Sequence, residues 1–367
     1  MSEMSGAVKA AIVVIAILIV VIASYTFLVN TNILGGVQTT SYQIPSELTT
    51  NFSRNFTFVS SQSFTFFLTP TITDSLQQTD ITFSHSPNVN ATNEYSQNRS
   101  YWKFLIGAGR SYIDVKYNVS SVGKSWQSLE SSTGLPSQIP EALKTQYDHP
   151  EFFNSSGTNL EVIDPAFFSN LTHNITWNET TVAGKLKSIY DYIVRNYRYN
   201  ITYNLGNIPL SARQVYQLKE GDCEELSYLF ESMSRSIGIP SWTQYGILLQ
   251  QVNGQISMGE HAWVQTYVPT PNGSGVFVNI DLTVEVGGKD LGRGFFVKYP
   301  NALVEWTDNG NSSAMVAYHT EIVAYSGIDL VQQENDTVYS FNQSGEIQLV
   351  QDNIFNLFVA NISRESE

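Results

Sequence analysis

The chain of 367 residues is short of two things, cysteine and charge. Cys223 is its one cysteine, so no disulfide can close within the chain and no cysteine-based zinc cluster can form. Charged residues make up 14% of it, against about 25% in a typical globular protein. Basic residues are the scarcer kind, 19 Lys and Arg against 33 Asp and Glu, for a net charge of −14. That balance excludes a nucleic-acid binder, which needs a basic stripe. Of the histidines, His85, His149, His173 and His319 are scattered and no pair has metal-ligand spacing, so no metal or cofactor is expected. Disorder is excluded as well, because 42% hydrophobic and 13% aromatic residues can supply a core. In place of charge the chain carries Asn, Ser, Thr, Gln and 20 Tyr, which make a neutral polar surface. Its length allows two domains of about 150 residues and a further segment.

The one long apolar run is at the N-terminus. Residues 10–29 read AAIVVIAILIVVIASYTFLV, and no charge appears between Lys9 and Glu47. About twenty helical residues span about 30 Å, the thickness of the hydrocarbon core of a bilayer. Lys9 precedes the run and the next basic residue is Arg54, which places the N-terminus in the cytoplasm and the rest outside. A retained anchor is expected. A signal peptide cleaved near Val21-Ile22-Ala23 and a pilin-like helix are the competing readings.

Sequons agree with an exterior chain. Asn-x-Ser/Thr occurs at Asn51, Asn55, Asn90, Asn98, Asn118, Asn154, Asn170, Asn174, Asn178, Asn200, Asn272, Asn311, Asn335, Asn342 and Asn361. Chance would supply about five or six of these from the Asn and Ser/Thr content. N-linked glycans are expected at such sites. Low charge, sequons and a neutral exterior together point to a prokaryotic, archaeal cell surface and to an acidic medium, where carboxylates lose their charge.

Beyond a linker at 36–50, residues 51–174 read as β-rich and extracellular. Phe56 and Phe58, then Phe64, Phe66 and Leu68, recur at period two. Tyr101–Ile106 and Ser111–Val119 flank Gly107-Ala108-Gly109-Arg110 as a hairpin would. Residues 121–175 contain Pro136, Pro140, Pro150 and Pro165 and read as irregular. From Thr181 a helical period begins, with Ala183, Leu186, Ile189, Tyr190, Ile193, Val194 and Tyr197 on one face. After residue 301 short alternating runs return. Asp308-Asn309-Gly310-Asn311 lacks the later bidentate Glu of a calcium loop and reads as a turn.

Chemistry concentrates at 221–283. In Gly221-Asp222-Cys223-Glu224-Glu225, Asp222 is an N-cap and Glu225 completes a capping box. Leu226, Leu229, Phe230, Met233 and Ile237 form an apolar stripe, and Gly238 with Pro240 ends the helix. Cys223 thus takes the first helical position, where free N–H groups and the helix dipole favour a thiolate, the nucleophilic form. Its backbone N–H can also help hold an oxyanion. Next, residues 259–268 and 276–283 alternate around the Pro269–Gly275 turn. Ala262, Val264, Thr266 and Val268 face the core with Val278, Ile280 and Leu282. His261, Trp263 and Gln265 share the other face with Phe277, Asn279 and Asp281. A hairpin centred near Asn272 sets residue 263 opposite 281, which brings Asp281 within reach of His261.

In that order and spacing, Gly-Asp-Cys-Glu-Glu-Leu, Arg235 with Gly238-Ile239-Pro240, His261-Ala262-Trp263-Val264, and Asp281 with Thr283 resemble the transglutaminase-like superfamily, over about residues 180–290. The helix containing Ile189-Tyr190-Asp191-Tyr192-Ile193 resembles that family's lead-in. The chain departs from the pattern at Ser241-Trp242, Gln265, Phe277 and Leu282, none of them a triad member. The resemblance implies an α+β, papain-like core with a helix packed on an antiparallel sheet. In it Cys223 is the nucleophile, His261 the base and Asp281 the orienter of the imidazole.

The expected organisation is a transmembrane anchor (1–35), a linker (36–50), a β-rich extracellular region (51–174), a transglutaminase-like domain (175–300) and a C-terminal β-rich region (301–367). The expected activity is acyl transfer on a protein or peptide amide through a Cys223 thioester, with hydrolysis ahead of cross-linking. Two alternatives stand: an inactive adhesion or binding glycoprotein, and a filament subunit that carries the same domain.

Overall fold

A computed structural model describes residues 41–350, apart from 97–98, 132, 156–157, 202–207, 285–291, 312–318 and 325. The run 10–29 expected to cross the membrane lies outside them. Among the described residues no helix is long and apolar enough to cross a membrane. Residues 42–349 form one compact unit, mostly β.

Two four-stranded antiparallel sheets face each other. One has the strand order Leu330–Ser344, Glu47–Ser60, Gly109–Val122, Gln77–His85; the other runs Thr320–Val323, Phe64–Leu68, Arg99–Ile106, Val89–Ser96. The period-two phenylalanines meet between them. Phe56 stands 4.8 Å from Phe66, and Phe58 stands 5.2 Å from Phe64, centroid to centroid. Ile113, Val115, Tyr117 and Val119 are buried in the same core. Such interlocked rings bury large apolar areas and favour tilted and edge contacts.

The expected hairpin at 107–110 is not one. Arg99–Ile106 and Gly109–Val122 lie in different sheets, so the chain crosses the sandwich there. The Gly107 N–H donates to the Asn88 carbonyl at 2.9 Å, and Gly109 takes a φ of +103°. Period two tells which face of a strand is buried but not which sheet it joins. The proline-rich stretch is also more regular than expected. Glu151–Ser155 pairs with Thr158–Ile163, and Pro165–Ile175 is a helix with Pro165 at its first position and Asp164 capping it. Proline fits there because the first turn leaves its N–H groups unbonded.

The third sheet has the order Gly275–Ile280, Gln255–Pro269, Ser241–Val252, Ala302–Thr307, and the helix Cys223–Arg235 packs on it. The α+β expectation describes this core, and the sandwich makes the chain as a whole mostly β. The apolar face expected on the helix Val182–Asn196 is buried throughout, from Ala183 to Tyr197. The Cys223 helix differs from its expected one-sided stripe. From Glu224 to Arg235 every residue is buried, charged ones included.

That burial requires partners, and Arg235 supplies them. Its guanidinium bonds to Glu151, to Glu231 at 2.9 Å and to the Ser241 carbonyl at 2.9 Å, and stands 3.8 Å from Asp308. Glu151, Glu231 and Asp308 can bring carboxylate oxygens within 4.8 Å of one another. One cation does not balance three carboxylates, so burial pushes Asp308 up to about 8 and Glu231 well above the usual range. Asp308 keeps its proton in the folded chain and loses it in the unfolded chain near pH 4. Between those values the folded state therefore holds the extra proton, and stability falls as pH rises. Thermal melting from pH 4 to 8 should show this fall, and Asp308→Asn should flatten it. Arg235→Met should cost about 3–5 kcal/mol, because it strands buried carboxylates.

Candidate active site

Cys223 begins its helix where the sequence indicates. The Asp222 carboxylate accepts the Glu225 N–H at 3.0 Å, and the Glu225 side chain accepts the Asp222 N–H at 3.0 Å. Cys223 is partly exposed and packs against Tyr245 and Ala262 of the sheet.

The hairpin has the expected register. Val264 pairs with Ile280 and Thr266 with Val278. The second strand stops at Ile280, one residue before Asp281. There the His261 Nε2 bonds to Asp281 Oδ2 at 2.8 Å. The other Asp281 oxygen accepts from the Thr283 N–H at 3.0 Å and the Thr283 hydroxyl at 2.7 Å. The Asp281 N–H donates to the Gly294 carbonyl at 2.8 Å. A Cβ on Gly294 would collide with the Asp281 carbonyl and come within 2.7 Å of the Tyr190 hydroxyl. Gly294 is therefore what lets the chain close behind Asp281.

With Nε2 engaged, Nδ1 is the ring atom left for the thiol. Cys223 lines the same cleft as His261 and is among the groups that favour the charged imidazole. Burial disfavours the imidazolium, but Asp281 and Cys223 outweigh it and hold His261 up to about 10. Asp281 is buried too, yet His261 and Thr283 hold it below the usual carboxylate range. The pair is thus an ion pair shielded from water, with the partly exposed sulfur beside it.

These groups open onto a cleft of 390 Å3, whose wall includes Tyr199, Asp222, Glu224, Tyr245, Glu260 and His319. Tyr199 escaped the sequence reading, which also set His319 among the scattered histidines. The short parallel pairing of Tyr199 with Gly221 brings the tyrosine to the helix start, on the same cleft as Cys223. Burial and Cys223 both push the Tyr199 hydroxyl above its ordinary range. A two-residue bridge leaves no periodic signal in the sequence. Among the described residues, one group of three or more acidic, His or Cys side chains is close enough to hold a metal, the Arg235 carboxylates. The guanidinium already takes the cation's place there.

Residues 169–282 fit the model of the transglutaminase-like superfamily. This part of the chain is a transglutaminase-like domain. No curated protein matches the chain in sequence. A candidate cysteine protease from Cytophaga hutchinsonii shares its fold, with a TM-score of 0.55 at 13% identity over 85% of this chain and 99% of that one. The periplasmic domain of TgpA from Pseudomonas aeruginosa is more distant, with a TM-score of 0.35 at 14% identity over 67% and 70% of the two chains. Red sea bream transglutaminase gives 0.30 at 12% over 66% and 50%. At these identities the likeness concerns fold alone, and the last two carry no argument.

Where the transglutaminase-like domain departs from its family pattern, the departures touch one another. Trp242 Nε1 donates to the Gln265 side-chain oxygen at 3.1 Å, and its ring meets the Phe277 edge at 5.7 Å. Asp281→Asn removes the charge that offsets His261 burial. The imidazole should then titrate near or below neutrality rather than near pH 10. An NMR titration of the His261 ring checks this, and an unchanged midpoint would assign the shift elsewhere.

Proposed function

We propose that the chain is a thiol enzyme that cleaves peptide or amide bonds through an acyl-Cys223 intermediate. The observation that carries this reading is the arrangement of the three groups. A partly exposed cysteine stands at a capped helix start and shares a cleft with a buried histidine, whose Nε2 is fixed by a buried aspartate at 2.8 Å. In the proposed sequence the His261 imidazolium, held by Asp281, pairs with the Cys223 thiolate, and the sulfur attacks the carbonyl carbon. The oxyanion that forms is held by the Cys223 N–H and by the Tyr199 hydroxyl beside it. His261 then gives its proton to the leaving amine. Water attacks the thioester, His261 takes a proton from it, and the thiolate departs. Hydrolysis is favoured over cross-linking because water is always present; an amine that intercepts the thioester would give the transamidation product instead.

We further place this enzyme on the outer face of a membrane, held by residues 10–29 and bearing N-linked glycans. Supporting this, none of the twelve sequon asparagines with described side chains is buried: Asn55 and Asn200 are half-buried and the other ten are exposed. Intact cells treated with a non-permeant biotin ester should yield labelled chain, and glycan-specific deglycosylation should lower its mass.

Cys223→Ala in the full chain should abolish peptide turnover and labelling by an iodoacetamide probe. Tyr199→Phe should lower kcat about 100-fold, the scale of one lost oxyanion donor, with little change in labelling. Equal turnover by Cys223→Ala and the natural chain would end the proposal.

A further inference from the structure

Glu260 immediately precedes His261 on the strand Gln255–Pro269 and stands on the wall of the same cleft. Its side chain is 63% exposed, with its carboxylate 3.9 Å from His319 Nε2. A Cβ built on the adjacent Gly259 would meet nothing within 4 Å, so the strand is uncovered at that position.

The charges around this space are one-sided. His261 is matched by Asp281. His319 bonds the buried Glu305, and Arg54 stands 3.7 Å from Glu305, 2.6 Å from Glu334 and 3.9 Å from Asp336. In this network two cations, Arg54 and His319, face four carboxylates: Glu305, Glu260, Glu334 and Asp336. Asp222 and Glu224 add two more on the cleft wall. No lysine or arginine is among the described residues that line it. Asp222 is occupied by the Glu225 N–H, and Glu224 by the Tyr228 and Tyr245 hydroxyls. Glu260 is the wall carboxylate with most of its side chain exposed. Low-dielectric walls of one sign concentrate ligands of the opposite sign.

We propose that this cleft, through Glu260, selects ligands with a cationic group, such as a lysyl or arginyl side chain, beside the group presented to Cys223. The inference deepens the reading of Cys223 as a nucleophile and rests on it for the word substrate. The charge preference itself is measurable on the thiol alone.

Cys223 is the single cysteine, so two methanethiosulfonates of similar size report on it cleanly. One carries a trimethylammonium group and the other a sulfonate. In each case the thiolate takes the reagent's thio group and methanesulfinate leaves. Relative to their rates with a small free thiol at low salt, the cationic reagent should label the full chain about tenfold faster than the anionic one. Half-molar salt should collapse the ratio. Glu260→Gln should reduce it and Glu260→Lys should reverse it. Equal relative rates on the natural chain, or a ratio unmoved by Glu260→Lys, would overturn the proposal.

Peptides that differ only in Lys, norleucine or Glu beside the cleaved amide supply the second arm. Lys should give the highest kcat/KM, and Glu260→Gln should remove that advantage. Turnover without any preference would overturn the charge selection and leave the enzyme. Charge-selective labelling without turnover of any peptide would retain the selective cleft and remove the enzyme.

Discussion

Everything in the transglutaminase-like domain hangs on the buried Arg235 guanidinium at the end of the Cys223 helix. It ties together the helix itself through Glu231, the central strand through the Ser241 carbonyl, the Glu151–Ser155 strand through Glu151 and the end of the last core strand near Asp308. A rod of 13 residues clamped at one end can still rotate about its own axis. The capping box at Asp222 and Glu225, with Glu225 also accepting the Leu210 N–H at 2.8 Å, fixes the other end. Both ends being held sets the azimuth of Cys223, and that azimuth decides whether the sulfur meets His261. A buried ion cluster is a weak source of net stability, since desolvation offsets most of its attraction. Its contribution here is orientation.

How far the sequence revealed this depended on whether the signal was local. The capping box is a four-residue pattern with its own hydrogen bonds, and the His261–Asp281 meeting follows from a period of two and one turn. Both were legible for that reason. The crossing at Gly107-Ala108 was not, because strand period does not encode partner choice. Tyr199 was not, because its contact is made by a two-residue bridge. Arg235 showed the clearest limit: in sequence an ion-pair partner and a solvated charge look alike, and its partners come from distant segments. The departures at Trp242, Gln265 and Phe277 look like three independent losses in the sequence. In space they are one packed set, joined also to Tyr147, whose ring stacks on Trp242 at 4.3 Å.

The scarcity of charge acquires a second meaning from where the charges lie. Glu224, Glu225, Glu231 and Asp308 are buried, and each is displaced upward by burial. Asp148 and Asp336 are pushed to about 6. A chain meant for alkaline surroundings would pay a desolvation penalty at every one of these positions. The same desolvation that makes a buried charge costly holds these interior carboxylates nearer to neutrality.

Close backbone approach is the remaining constraint on the His–Asp pair. Gly246 lies across the sheet from His261, and a Cβ there would run into the Leu303 carbonyl of the next strand. Gly294 stands behind Asp281 and would run into its carbonyl in the same way. Each member of the pair is thus backed by a glycine that lets a neighbouring segment approach more closely than any side chain permits. Alanine at either position would push on main chain, which cannot yield as a flexible side chain can. Because a displacement of about 1 Å at a reacting group can cost about 100-fold in rate, these two glycines bear on catalysis without touching a substrate. The pair's short hydrogen bond is a consequence of backbone packing two segments away, and the chemistry of the thiol depends on it.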